Sequence, residues 1–321
     1  MVYKPIIIVA GEPNSIFSEI FFKSLKYKDY KSPIIIIASE KLIKLQMKKL
    51  NIKKKIRIIE FLNKENYNFD NKRINLINVN LNQKKPFDKI SSKSNAYIEK
   101  SFEIALKILK KKITNKFING PISKKSFLSK KYLGITEYIS DKFFIKNNAM
   151  LIYNNNLSVC PITTHLPLKV VSKQINKKII KSKINLIFKF YKKYLKKKPK
   201  IAVLGLNPHC ESIDKFNEDE MIIKPVIKQI FKKGQKVYGP YPADTIFLKK
   251  NRKKYDVIVG MYHDQVLTPI KTLFEYDAIN ITLGLPFLRI SPDHGPNEKM
   301  LGKNISNPLS LIKAMSFLDK H

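Results

Sequence analysis

The chain has 321 residues, 44% hydrophobic and 27% charged, a length that suits two α/β lobes and an apolar content that excludes wholesale disorder. Its formal net charge of +37 suggests a polyanion partner at first sight, but the lysines run from end to end beside abundant Ile, Asn, Phe and Tyr. No stretch interleaves aromatic with basic residues as a single-strand binder would, so no nucleic-acid partner is expected.

Along the chain, short β-branched runs alternate with longer amphipathic patterns, which predicts parallel strands joined by crossover helices. The opening Ile6–Ala10 reads as a first strand and not as part of a leader. Ile34–Ala38 is the next strand; its aliphatic run falls far short of the ~20 residues that cross a bilayer, and no membrane partner is expected. A helix over Lys41–Leu50 leads to a strand at Ile56–Glu60. The polar stretch from Asn63 to Lys93 reads as loop with one strand near Ile74–Val79. Helix Ala96–Lys111 and strand Lys116–Asn119 follow, then a lobe boundary around Lys124–Leu133. Strands at Met150–Tyr153 and Ser158–Thr163 precede the longest helix, Lys177–Leu195. There Ile180, Ile184, Ile187, Tyr191 and Tyr194 recur at helical spacing and lysines fill the other face. Strand Ile201–Gly205, helix Asp219–Phe231, strands Val257–Gly260 and Ala278–Thr282, and helix Leu309–Phe317 complete the series. The lobes are expected at residues 1–131 plus 296–321, and at 132–295. Two cysteines, Cys160 and Cys210, cannot build a disulfide framework, so a reducing, cytoplasmic setting is expected.

Of five histidines, three follow predicted strands within a few residues: His165, His209 and His263. In an open parallel sheet the carboxyl ends of the strands share the ligand-binding edge. Three imidazoles delivered there could share one divalent metal and leave a coordination position open for substrate, although any one alone is equally a hydrogen-bonded loop histidine. Asp264 directly follows His263 and is either a further ligand, a group orienting an imidazole, or the N-cap of the Val266–Phe274 stretch. Lys271, Asn280 and Arg289 bracket the strand Ala278–Thr282 and could converge on a phosphate or carboxylate. Asp244 is expected to be buried among turn residues, or to cap the helix after it. No Gly-x-Gly-x-x-Gly, P-loop or Gly-x-Ser-x-Gly element occurs, so a standard Rossmann site, a P-loop site and a hydrolase elbow are unsupported.

A set of motifs runs in order along the chain: Gly11-Glu12-Pro13, Asn119-Gly120-Pro121 with Lys124, Thr136-Glu137, and Thr163-Thr164-His165-Leu166-Pro167. Gly205-Leu206-Asn207-Pro208-His209, Pro242-Ala243-Asp244-Thr245, Met261-Tyr262-His263-Asp264-Gln265, Asn280 to Phe287, Arg289 and Asp293-His294-Gly295 continue it. Together they resemble the 4-hydroxythreonine-4-phosphate dehydrogenase family over essentially the whole chain.

The resemblance implies two α/β/α lobes with mostly parallel sheets and an active-site cleft between them, as in isocitrate and isopropylmalate dehydrogenases. It implies a homodimer whose chains share each active site. It also implies NAD bound without a Rossmann motif, with Gly295, Asn297 and Asn307 as cofactor contacts in loops like those of the β-decarboxylating dehydrogenases. Carried over, His165, His209 and His263 are ligands of one divalent ion (Zn, Mg or Co), and Thr136, Lys271, Asn280 and Arg289 are substrate contacts. The implied partner is a phosphorylated hydroxy amino acid, 4-phosphooxy-L-threonine, oxidised at C3 and then decarboxylated in the pyridoxine 5'-phosphate pathway. Lys271 or Asp264 would move the hydroxyl proton.

Three places depart from the family pattern. Asn14-Ser15-Ile16-Phe17 replaces a glycine-containing turn, Ile135 stands where the family has His, and Pro296-Asn297 replaces Thr-Ala. These keep two alternatives open: a dehydrogenase of another phosphorylated four-carbon hydroxy acid, and a metal-dependent hydrolase.

Overall fold

The computed structural model describes residues 3–321, apart from 61, 64–66, 68, 124–126, 129–131, 133, 214–215 and 293–294. In chain order the elements are β1 (Ile6–Val9), α1 (Phe17–Tyr27), β2 (Ile34–Ala38), α2 (Glu40–Lys49), β3 (Ile56–Ile58), β4 (Ile74–Asn78), α3 (Asn95–Lys110) and β5 (Lys116–Asn119). Then come α4 (Ile135–Lys142), β6 (Ala149–Tyr153), β7 (Ser158–Pro161), α5 (Leu168–Gln174), α6 (Lys177–Phe190) and β8 (Ile201–Leu204). The last are α7 (Lys224–Lys232), β9 (Val237–Tyr241), β10 (Val257–Gly260), α8 (His263–Phe274), β11 (Ile279–Leu283), β12 (Leu288–Ser291) and α9 (Leu309–Lys320). Among the described residues no helix is long and apolar enough to cross a membrane.

The chain divides into two compact units, residues up to 139 with 286 onward, and residues 140–285. These cuts fall later than the expected 131 and earlier than the expected 295, because β12 pairs in parallel with β5 and so belongs to the first unit. Thr136 and Arg289 therefore both lie in the first unit.

In the first unit the strand order is β3-β4-β2-β1-β5-β12, and its pairings are parallel. Residues Ile6 to Ile8 and Ile35 to Ile37 are wholly buried, as strands covered on both faces require. Phe102 of α3 meets Phe117 of β5 edge to face at 6.4 Å, and Phe117 meets Phe287 likewise at 6.1 Å.

In the second unit the order is β11-β6-β7-β10-β8-β9. β11, β6 and β7 pair antiparallel, whereas β7, β10, β8 and β9 run parallel. Val159, Ala202, Leu204 and Ile258 from the central strands pack with Val266 and Ile270 of α8. Helix α6 lays its buried Ile180, Ile184 and Ile187 inward. Asn176 starts it by accepting the Ile179 N–H at 3.0 Å, and a wider π-helical turn over Tyr191–Leu195 carries it to the expected end. The expected helix Asp219–Phe231 likewise opens as a π-helical turn, Asp219–Ile223, before α7.

Candidate active site

Three parallel neighbours in the second unit, β7, β10 and β8, each lead into a histidine. His165 follows β7 with φ 52°, His209 follows β8 with φ 55°, and His263 opens α8 just after β10. The sheet thus delivers all three imidazoles at the carboxyl ends of adjacent strands, the edge where an α/β sheet receives ligands. His165 and His263 stand with ring centroids 5.8 Å apart and planes inclined by 38°. His263 Nδ1 meets Asp264 Oδ1 at 2.7 Å, an interaction that fixes the ring and leaves Nε2 to face a ligand. Asp264 is the second residue of α8 and 77% exposed; the N-cap position belongs to Tyr262, so the capping role falls away.

The His165–His263 pair suits two ligands of a divalent ion in donor type and spacing. His209, exposed on its turn, does not close the set: among the described residues no three His, Cys, Asp or Glu side chains are gathered closely enough to hold a metal.

Lys271 lies two turns beyond Asp264 on the same side of α8. It is half-buried, and desolvation holds its ammonium below the usual lysine pKa. Asn280 on β11 has its Oδ1 buried without a hydrogen-bond partner, an acceptor that a ligand could satisfy.

The first unit supplies the guanidinium. Arg289 on β12 is 1% exposed; its Nε donates to Asn119 Oδ1 at 2.8 Å and its Nη1 to Thr136 Oγ1 at 2.8 Å. Burial pulls its pKa down to about 10 while the Glu137 carboxylate works the other way, so it stays cationic at neutral pH. Glu137 Oε2 is itself buried with no hydrogen-bond partner. Thr136 and Arg289 are thus brought together, and Lys271 and Asn280 belong to the other unit.

Asp244 is a correction: it is exposed in a single helical turn over Ala243–Ile246, because β9 ends at the surface there. Gly295, Asn297 and Asn307 are exposed, and Asn307 Oδ1 accepts the Leu309 N–H that begins α9. Nearby, the Pro296 carbonyl accepts the Ile16 N–H at 3.1 Å. The departing segment Asn14–Phe17 is buried throughout. Asn14 exchanges hydrogen bonds with Gln83 and accepts the Asp88 N–H, and the Phe17 ring lies so close to Gly120 that a β-carbon there would stand 2.9 Å from it. That turn is core, so exposed loop residues are left as the cofactor candidates. Lys124, Asp293 and His294 lie outside the described residues.

Sequence reasoning passed over Asn119 and Glu137 as partners of Arg289, and Asp219 and Gln265 beside the histidine turns. Asn119 carried a signal, an amide at the end of a buried strand just before Gly-Pro. The others carried none beyond being polar in mixed helical segments.

Two α/β units, open strand ends, clustered imidazoles and a buried guanidinium define an enzyme for small anionic substrates. The family described as pyridoxal phosphate biosynthetic protein PdxA matches residues 29–318. A 4-hydroxythreonine-4-phosphate dehydrogenase from Sulfurihydrogenibium sp. is 38% identical over 318 residues, 96% of this chain and 95% of that protein. The D-threonate 4-phosphate dehydrogenase of Salmonella typhimurium is 31% identical over 299 residues, 91% of each chain. Among solved structures, the 4-hydroxythreonine-4-phosphate dehydrogenase of Klebsiella pneumoniae superposes with a TM-score of 0.85 at 27% identity, covering 99% of both chains. The chain belongs to the PdxA family and is a dehydrogenase.

Proposed function

We propose that this protein works in the cytoplasm as an NAD-dependent dehydrogenase of 4-phosphooxy-L-threonine. It oxidises C3 and then releases CO2 to give 3-amino-2-oxopropyl phosphate for pyridoxine 5'-phosphate synthesis. Family membership supports the reaction, and the observation that carries it is the His165–His263 pair at neighbouring strand ends.

His165, His209 and His263 would hold one divalent ion (zinc, magnesium or cobalt), and Gly295, Asn297 and Asn307 would contact NAD. When bound, the ion supplies a Lewis acid for the C3 oxygen and NAD the hydride acceptor. Asp264 keeps the His263 ring in register through Nδ1. The neutral Lys271 amine takes the C3 hydroxyl proton while the C3 hydrogen leaves as hydride, producing a β-keto acid. Burial of Lys271 suits it to this task better than exposed Asp264, already engaged with His263. When the bond to CO2 breaks, its electron pair passes into an enolate, and the Lys271 ammonium returns the proton. Arg289 and Thr136 anchor an anionic end of the substrate, and Asn280 Oδ1 accepts from its ammonium. The active form is a homodimer with shared sites, a reading supported by large apolar side chains left open on the second unit, Phe144 at 90% and Leu168 at 68%.

A second substrate is favoured by one observation. Ile135, beside the hydroxyl that holds Arg289, puts an aliphatic group where the family has an imidazole, and the Salmonella relative is a D-threonate 4-phosphate dehydrogenase. NADH absorbance after mixing the protein with NAD, a divalent ion and either acid decides between them. The main reading expects the larger kcat/KM with 4-phosphooxy-L-threonine; a larger value with D-threonate 4-phosphate replaces it. Phosphate release without NAD consumption overturns both and marks a hydrolase.

A further inference from the structure

A continuous set of hydrogen bonds runs across the carboxyl ends of the three histidine-bearing strands of the second unit. Thr163, just ahead of His165, donates to the Met261 carbonyl from its N–H at 3.1 Å and from its hydroxyl at 2.7 Å. The Met261 N–H donates to Gln265 Oε1 at 2.7 Å, and Gln265 Nε2 donates to the Gly205 carbonyl at 2.8 Å. Past Gly205 the turn to His209 is gripped by Asp219, wholly buried, which accepts the Leu206 N–H at 2.7 Å, the Asn207 N–H at 3.1 Å and Asn207 Nδ2 at 3.0 Å. Gly205 sits so tightly in this grip that a β-carbon would lie 2.6 Å from Asp219 Oδ1 and 2.7 Å from Cys210 Sγ.

Gln265 is the link between the two halves of that set. As the third residue of α8 its side chain points back over the helix start, towards the strand ends. A carboxamide offers one donor and one acceptor on separate atoms, matched here to a carbonyl and an N–H on different strands. A carboxylate offers acceptors only, and an aliphatic chain offers neither.

We propose that Gln265 is a positioning residue: its carboxamide sets the spacing between the turn carrying His209 and the turns carrying His165 and His263, and so governs how tightly the three imidazoles hold a divalent ion. The proposal rests on the reading of these histidines as ligands. The brace fixes the root of the His209 turn, from Gly205 to Asn207, while the exposed His209 ring turns about its own side-chain bonds to meet an ion held by the other two.

The test is Co²⁺ binding to the full-length, chelator-stripped protein, followed by calorimetry and by visible absorption, beside the melting temperature of the metal-free form. Gln265→Glu keeps the acceptor for Met261 but sets a carboxylate against the Gly205 carbonyl. Co²⁺ affinity is expected to fall about 10- to 100-fold with a changed visible spectrum, while the metal-free protein melts close to the unaltered one. Unchanged affinity and spectrum in the folded variant overturn the proposal, and so does a loss that only tracks a lower metal-free melting temperature. Should the glutamate form not fold, Gln265→Met is judged by the same outcomes. His165→Ala and His209→Ala separate the two layers of the argument. If both bind Co²⁺ like the parent, the ligand reading fails and the brace with it; if both lose the ion while the Gln265 variants keep it, the brace alone fails.

Discussion

An ammonium half out of water costs more than one in it, and Lys271 shows the consequence: its amine gives up a proton at lower pH than an ordinary lysine. If the neutral amine is the base, kcat/KM rises with pH through that depressed pKa and levels above it. Lys271→Met is expected to remove this rising limb and about 10²- to 10⁴-fold of the rate. A pH profile that keeps the same limb in the variant assigns the proton to another group. At this scale the sequence revealed the identity of the functional side chains better than their company. His165 and His263 do meet, but Arg289 sits on a strand of its own in the first unit, tied to Asn119 and Thr136. Residue spacing says nothing about which distant loop will supply an acceptor for a buried guanidinium, and so Glu137 and Asn119 stayed hidden.

The elements that announced themselves were those whose pattern had one physical explanation. Runs of isoleucine at β1 and β2 are buried on both faces, and the heavily patterned α6 lies where its periodicity puts it. Its start depends on a single side chain: Asn176→Ala removes the acceptor for the Ile179 N–H and is expected to cost about 1 kcal/mol. A lower urea midpoint at unchanged slope would show it; an unmoved midpoint would mean that water replaces the cap. The unannounced elements had mixed signals. β9 contains Gly239-Pro240 and is tolerated because it is the last strand of its sheet, β12 is four residues with a buried charge, and α1 begins without a side-chain cap. The Asn14–Phe17 turn, by contrast, was read as a perturbed ligand loop, and its polar and aromatic groups turn inward to Gln83, Asp88 and Gly120.

At the scale of the molecule, a net charge of +37 is carried by lysines whose ion pairs are mostly short-range and partly exposed, such as Lys44–Glu40 and Lys224–Glu220. Such pairs contribute little, and like-charge repulsion opposes compaction. The melting temperature is therefore expected to rise as sodium chloride is raised from about 0.01 to 0.15 M, where the screening length shrinks from about 30 to 8 Å. A melting temperature indifferent to salt would show that the lysines are too dispersed to repel. The strand order of the second unit has a different consequence. β10 lies between β7 and β8 although it is made after both. Until the ribosome has delivered it, the turns ending in His165 and His209 have no common neighbour, so a nascent chain cannot capture an ion prematurely and any product truncated before β10 is inert by construction.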